Sequence, residues 1–373
     1  MALAGEVVTE GAARIYTRID GKSAFYNPLA RLSRSIAVAI VAVGRLVVAD
    51  ALAGTGVRGI RYLLETNAVD HVLFNDKSSA ACEVIKANLE ANNLADKGEV
   101  VNLEANHFMH AYRFRFNVVD IDPFGSPAPF VDSAVATVRR GGVVAVTATD
   151  LAPLCGLHPQ SVMRKYSSMS IYTDYCKEVG LRILIKEVVS AAGRHMRYAT
   201  ILTAHVTEQY ARVYMLVEEG KRPYPHGSIG FLVHSFGDNS VTCVPAREFY
   251  EEPRLEAGDR VALAGPLWIG PLHDKKLIED AISIVERGEA LSEGERRRVL
   301  RILRIFRDEA EMPPYHYNIH RACKEAGVPV PKVEEVIEGL RQMGYAASRT
   351  HFCGYCIKTN APYRDLLYLL RGM

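Results

Sequence analysis

The chain has 373 residues, 49% apolar and 24% charged, which suits a water-soluble fold long enough for two domains, each with its own core. A formal net charge of only +2 excludes nucleic-acid binding through a global basic field, so any such surface has to be a local patch. Seven scattered cysteines, an odd number, point to a reducing compartment. Residues 2–16 lack the apolar core of a signal peptide, and Ile36–Val43 is too short to span a bilayer, so the expectation is a cytoplasmic protein with no membrane segment.

Residues 1–24 read as a lead-in of short mixed segments. After Phe25-Tyr26-Asn27-Pro28, Ser33 is a candidate N-cap for a helix with Ile36, Ile40 and Val43 on one face. Arg34 falls in the first turn of that helix, where the dipole disfavours a cation, so it is a candidate for holding an anionic ligand; a solvated arginine fits as well. Leu46–Asp50 is a short buried strand, and the glycine turn Ala51-Leu52-Ala53-Gly54-Thr55-Gly56-Val57-Arg58-Gly59 follows it into a helix. The turn lacks the full dinucleotide spacing, and Asp50 would repel a pyrophosphate. A cationic ligand such as S-adenosylmethionine fits better, with Asp50, Gly54, Thr55 and Arg58 as its candidate contacts.

A second strand, Val69–Asp76, ends on an acid about 20 residues beyond the turn, placed to accept two ribose hydroxyls. Ser78 caps the next helix, Val100–Leu103 is a third strand, and Glu104 beyond it can accept from an adenine amine. The fourth strand runs into Asp120-Ile121-Asp122-Pro123-Phe124-Gly125-Ser126-Pro127, where proline must stop the ladder. A carboxylate and an aromatic ring are thereby held at a strand's C-terminal end, where open α/β sheets place their ligands. Asp122 and the carbonyl of Pro123 can each accept an N–H from an exocyclic base amine, aiming its lone pair at a methyl group. Phe124 can stack on that base. Asp120 either raises the pKa of Asp122 or is structural.

A fifth strand, Gly142–Asp150, a Pro/Gly-rich loop at Ala152–Pro159, helices around Met163–Tyr166 and Tyr172–Ala192, and a strand pair at Ala199–Ala204 and Ala211–Val217 complete the half. The expected fold is α/β, a Rossmann-like seven-stranded sheet of the class I S-adenosylmethionine-dependent methyltransferase type. The pattern loosens through Arg222-Pro223-Tyr224-Pro225-His226. The division expected is 1–220 for the cofactor-binding domain, 221–271 for a β-rich connection and 272–373 for a smaller α+β C-terminal domain.

In that last part, Lys275–Arg287 is a helix, and Ser292-Glu293-Gly294-Glu295 reads as a capping box opening another. Arg297, Arg301 and Arg304 share its outer face: a solvated stripe, or one that neutralises phosphates. Helices at Asn318–Ala326 and Lys332–Met343, then strands at Ala346–Phe352 and Ile357–Asn360, suggest a winged-helix-like module. Cys353-Gly354-Tyr355-Cys356 has no second Cys-x-x-Cys pair and reads as a hairpin turn, with an incidental disulfide at most, rather than a metal site. Cys155, with His158 nearby, is a minor candidate for thiol chemistry.

Phe25-Tyr26-Asn27-Pro28, the Asp50–Gly59 turn, Asp120–Pro127, Thr147-Ala148-Thr149-Asp150, Arg164-Lys165-Tyr166, Gly180–Leu184, Gly265–Pro271 and Lys358–Pro362 together resemble the tRNA (guanine(26)-N(2))-dimethyltransferase family over nearly the whole chain. The resemblance implies transfer of one and then a second methyl from S-adenosylmethionine to N2 of a tRNA guanine, with tRNA as partner and no obligatory protein partner. It implies Phe25, Arg34, Asp76, Glu104 and Ala105 around the methyl donor and Asp122, Pro123 and Phe124 at the guanine. Glu104 stands where the family usually has Asp, and Ser35 where it usually has an acid. The compact C-terminal part is more similar to archaeal than to eukaryotic members. Read from the residues alone, two alternatives stand beside this: another base-amine methyltransferase acting on rRNA or DNA adenine, and a non-catalytic S-adenosylmethionine sensor.

Overall fold

A computed structural model describes residues 5–19, 21–44, 46–220, 228–251 and 260–373. The expected loosening at Arg222–His226 lies outside the described residues. The lead-in is a small antiparallel sheet, β1 (Gly5–Glu10), β2 (Ala13–Ile19) and β3 (Lys22–Ser23). A 3-10 turn at Pro28–Ala30, capped by the Asn27 side chain, feeds α1 (Arg31–Val41). That turn moves the helix start two residues ahead of the expected cap: Ser33 sits inside the first turn, buried, with its hydroxyl unpartnered, and Val43 lies past the end.

The α/β part follows in order: β4 (Leu46–Asp50), α2 (Val57–Glu65), β5 (Val69–Asn75), α3 (Ser79–Ala91), β6 (Gly98–Val101), α4 (Ala105–Ala111), β7 (Val118–Ile121), α5 (Ala128–Thr137) and β8 (Gly142–Ala148). Ser78 caps α3 by accepting from Ala81 N, as expected. After α6 (Leu151–Leu154), α7 (Pro159–Tyr166) and α8 (Cys176–Arg194), the hairpin β9 (Arg197–Thr207) and β10 (Tyr210–Glu219) closes a seven-stranded sheet of order β6-β5-β4-β7-β8-β10-β9. Five strands are parallel, and β10 runs antiparallel to both β8 and β9. The chain reverses its winding between β4 and β7, and in such sheets the crevice beyond the carboxyl ends at that point takes the ligand.

A second three-stranded sheet is built from β11 (Ile229–Ser235), β12 (Val241–Pro245) and β13 (Val261–Trp268), with α9 (Ala246–Glu251) beside it. Helices α10 (Lys275–Arg287) and α11 (Glu293–Glu309) bury Ile278, Ile282, Val299, Leu303 and Phe306 in the same core as Ile36 and Ile40 of α1. The Ser292 capping box does not form. Glu295 instead accepts from Arg31 Nε and Ser35 Oγ, both at 2.6 Å, because a buried carboxylate takes an arginine in preference to its own helix end.

The C-terminal module has its own core: β14 (Tyr317–Asn318), α12 (Ile319–Ala326), α13 (Val333–Gln342), β15 (Ala347–Arg349), β16 (Cys356–Thr359) and a closing helix, α14 (Tyr363–Gly372). Two buried carboxylates tie it to the rest. Glu178 of α8 accepts from Arg182, from Lys358 and from His316 Nδ1. Glu309 accepts from Thr350 Oγ1 at 2.8 Å and from His351 Nδ1.

Candidate active site

The cavity at the switch point has a volume of about 700 Å³. Gly54 and Gly56 both have positive φ (54° and 75°), and a Cβ on Gly54 would stand 3.0 Å from the Phe25 carbonyl, so the turn needs glycine there. Asp76 accepts from Gly54 N through Oδ2 (3.0 Å) and from Ser78 N through Oδ1 (2.9 Å). Each oxygen keeps a lone pair for a diol.

Three buried polar atoms in the wall have no partner among the described residues: Asp50 Oδ2, Thr55 Oγ1 and Arg58 Nη1. Orphans of this kind are costly unless a ligand satisfies them. Burial, and then the charge of Asp120, push the Asp50 carboxyl up to about 8. Asp50 and Asp120 are direct cross-strand partners in β4 and β7. A cationic ligand beside Asp50 relieves that strain by favouring its carboxylate, so the residues fit S-adenosylmethionine.

The Asp-Pro-Phe motif turns away from the sheet after Ile121, with Gly125 at φ 77°. Thr149 clamps the turn: its Oγ1 accepts from Gly125 N at 2.7 Å, and its N–H donates to Gly125 O at 2.9 Å. Below, Ser126 Oγ donates to Tyr166 OH (2.8 Å), which donates to Asp150 Oδ1 (2.9 Å).

Asp122 Oδ2 is ion-paired with Arg58, and no described residue bonds Oδ1; the side chain is 23% exposed to the cavity. Burial would raise its carboxyl, but the Arg58 and Arg212 guanidiniums hold it below the usual range. Any upward push from the Asp120 charge is outweighed, since the net shift of Asp122 is downward. Asp120 is fully buried and spent on a two-point pair with Arg212, on Tyr62 OH (3.2 Å) and on Arg58 Nε at 3.8 Å. Pro123 is buried, and no described hydrogen bond ends on its carbonyl. Phe124 is 73% exposed and meets Phe25, 56% exposed, edge to face at 4.3 Å.

Arg34 lines the cavity, but its guanidinium is bound by Glu10 of β1, at 2.6 Å through Nε, and by the Asn27 carbonyl at 2.9 Å. Burial would raise Glu10, yet Arg34 and Arg61 hold it down at about 2. The anion that Arg34 was expected to meet is thus supplied by the chain itself. Glu104 caps α4 through His107 N at 3.1 Å, and neither it nor Ala105 is among the residues lining the cavity.

Gln209 and Tyr210 enter the cavity from the β9–β10 turn, and Tyr210 OH accepts from Asn27 Nδ2 at 2.5 Å. The sequence carries no signal for these two, because a hairpin turn becomes a wall only once the sheet is closed. Arg297, Arg301 and Arg304 are exposed on the outer face of α11, with Arg304 paired to Glu286 at 2.8 Å. Cys353 and Cys356 are bonded to each other. Cys155 is buried against Cys176, which together with burial pushes its thiol up.

The model of the N2,N2-dimethylguanosine tRNA methyltransferase family matches residues 6–371. A tRNA (guanine(26)-N(2))-dimethyltransferase of Methanothermobacter thermautotrophicus is 36% identical, with 98% of both chains aligned. One of Pyrococcus abyssi is 35% identical over 97% of this chain and 98% of its own. Among solved structures, Trm1 from Pyrococcus horikoshii in complex with S-adenosyl-L-methionine superposes with a TM-score of 0.86 at 31% identity, over 98% of this chain and 99% of that one.

Proposed function

This chain belongs to the N2,N2-dimethylguanosine tRNA methyltransferase family, and from that premise we propose how its cavity performs the reaction. The enzyme methylates the exocyclic N2 of guanine 26 in tRNA, once and then again, from S-adenosylmethionine. The observation that carries the assignment of roles is the ionised Asp122 carboxylate, fixed through one oxygen by Arg58 and open to the cavity through the other.

When bound, S-adenosylmethionine supplies an electrophilic methyl whose bond electrons stay on sulfur. Asp76 takes the ribose hydroxyls, the Asp50–Arg58 turn holds the rest of the donor, and Phe25 borders it. A guanine amine is a poor nucleophile because its lone pair is delocalised into the ring. Asp122 Oδ1 accepts one N–H and the Pro123 carbonyl accepts the other, which turns the lone pair out of the ring plane. Phe124 stacks on the base, which must leave its helix to reach the cavity. A carboxylate held below its usual range is a weak base, so Asp122 positions and polarises the amine. It receives the proton only after the new N–C bond has made that nitrogen acidic. Arg34 orders the cavity wall through Glu10.

We assign tRNA docking to residues 272–373, with Arg297, Arg301 and Arg304 on phosphate, and the catalytic half to residues 1–220, joined by 221–271. An enzyme of tRNA works where tRNA is processed, in the cytoplasm. Incubating the purified chain with labelled methyl donor and unmodified tRNA transcripts tests the function. Label should enter transcripts with guanine at position 26 and not those with adenine there; equal label in both, or none, overturns it.

A further inference from the structure

Resting on the reading that the substrate is a tRNA, we propose that a second cleft takes one unstacked nucleobase of that RNA, away from the methylated guanine. The cleft lies where the C-terminal module meets the segment before α8 and the β11–β12 hairpin, and none of its lining residues is shared with the cofactor cavity. Its volume of about 250 Å³ falls below the ~300–1,000 Å³ of sites for whole drug-sized ligands, which suits a single planar group.

The lining is aromatic in a way that packing does not require. Tyr175, His234 and Tyr317 form a buried floor, fixed by the Tyr175 OH–His234 Nδ1 hydrogen bond of 3.0 Å and by ring contacts that run from Tyr175 through Tyr315 to Tyr317 and Tyr363. At the rim, Tyr172 and Phe236 are 69% and 46% exposed. Held open on a rigid floor, they offer the π-faces on which any base stacks, at little entropic cost.

The rim also carries polar groups suited to a nucleotide. Arg321, in the first turn of α12, has 59% of its side chain exposed and reaches Asp174 only at 3.4 Å. So long and wet a pair is held weakly, and the guanidinium can turn to the phosphate attached to a stacked base. Asn318 caps α12 through Oδ1, accepting from Arg321 N at 3.2 Å, which leaves its amide donors for a base edge. A single cation with two exposed rings favours one nucleotide over an acidic peptide, which would need more positive charge. The rings come from the catalytic half and the hairpin, and the arginine from the C-terminal module. One bound nucleotide therefore fixes the RNA against both.

The test uses the full chain with an unmodified tRNA transcript, measuring Kd without methyl donor, donor affinity and Tm. Tyr172→Ala should weaken tRNA binding on the order of ten-fold, the loss typical of one stacked base, while Tyr172→Phe stays near wild type. Arg321→Ala should lower the slope of log Kd against log salt by about one phosphate contact. Donor affinity and Tm should not move, since both side chains are exposed. Unchanged tRNA affinity in both alanine variants, with wild-type methylation intact, removes the cleft from RNA binding and leaves the enzymatic reading standing. Should the wild-type protein methylate no tRNA, the enzymatic reading fails first and this one with it.

Discussion

Asp122→Asn tests the proposed chemistry because it removes a charge and almost no volume. The cluster around Asp122 is balanced: Asp120 and Asp122 are negative, Arg58 and Arg212 positive, and Asp50, pushed up to about 8, is mostly protonated at neutral pH. The substitution leaves one guanidinium in excess. Asp50 then gives up its proton more readily, since the Asp122 charge is one of those holding it up. That compensation limits the stability loss to about 1–3 kcal/mol, below the roughly 3–5 kcal/mol expected when a buried ion is stranded. The rate should suffer more. Losing one preorganised polar group at a reacting centre typically costs about 10²–10³ in kcat, or roughly 3–4 kcal/mol. Single-turnover methylation of a tRNA transcript with labelled donor reads that step; calorimetry reads donor affinity, and urea titration reads stability. A rate within three-fold of wild type, with saturating donor and tRNA, would refute the role given to Asp122. A fall in donor affinity as large as the fall in rate would place the residue in the cofactor site instead.

Asp50→Asn should change how stability depends on pH. Because the folded carboxyl titrates near 8 and an unfolded one near ~4, the folded state holds an extra proton between those values. Wild-type stability is therefore eroded as pH rises through that window, and Asp50→Asn should gain on wild type from pH 5 to pH 8; a constant difference in urea unfolding across that range would refute the raised carboxyl. Arg301→Glu with Arg304→Glu should weaken tRNA binding and flatten its salt dependence, and an unchanged slope returns the stripe to a solvated face. Glu309→Gln removes a buried carboxylate whose charge the buried Lys358 feels alongside that of Glu178, and, burial notwithstanding, His351 and His273 hold the Glu309 carboxyl well below its ordinary range. Urea unfolding should show a loss of roughly 3–5 kcal/mol; a loss under about 1 kcal/mol would mean that the clasp is ornamental.

Legible from the sequence were the features that repeat along it. The buried strands Leu46–Asp50 and Val118–Ile121 announce themselves as apolar runs, and in the C-terminal module one helix is marked by its stop at Gly327 and the next by the spacing of Val333, Val336, Ile337 and Leu340. The glycine turn and the Asp-Pro-Phe motif were found because each is local: its chemistry lies within ten residues. Cap signals failed where tertiary partners outbid them, as at Ser292, whose expected partner Glu295 is taken by Arg31 and Ser35 of a different helix. The sheet of β1 to β3 was missed because its strands carry no unbroken apolar run, with Glu6, Thr9, Arg14, Thr17 and Arg18 interspersed, and its most consequential residue, the buried Glu10, matters only through Arg34 and Arg61.

The same limit explains why Asp120 and Asp122 could not be told apart. Alternation along β7 puts both on one face, two residues apart, with equal chemistry. What separates them is the register of neighbouring strands. Asp120 lies level with Asp50 on one side and within reach of Arg212, 92 residues further along the chain, on the other. Asp122 has left the ladder and meets Arg58 alone. An acid that is fully buried and spends three of its roughly four lone-pair sites on a bidentate arginine and a tyrosine is out of a substrate's reach; one held through a single oxygen and exposed to the cavity is not. Catalytic capacity at this motif is therefore set by how many of each carboxylate's lone pairs the fold consumes, and that count is fixed by pairing across the sheet.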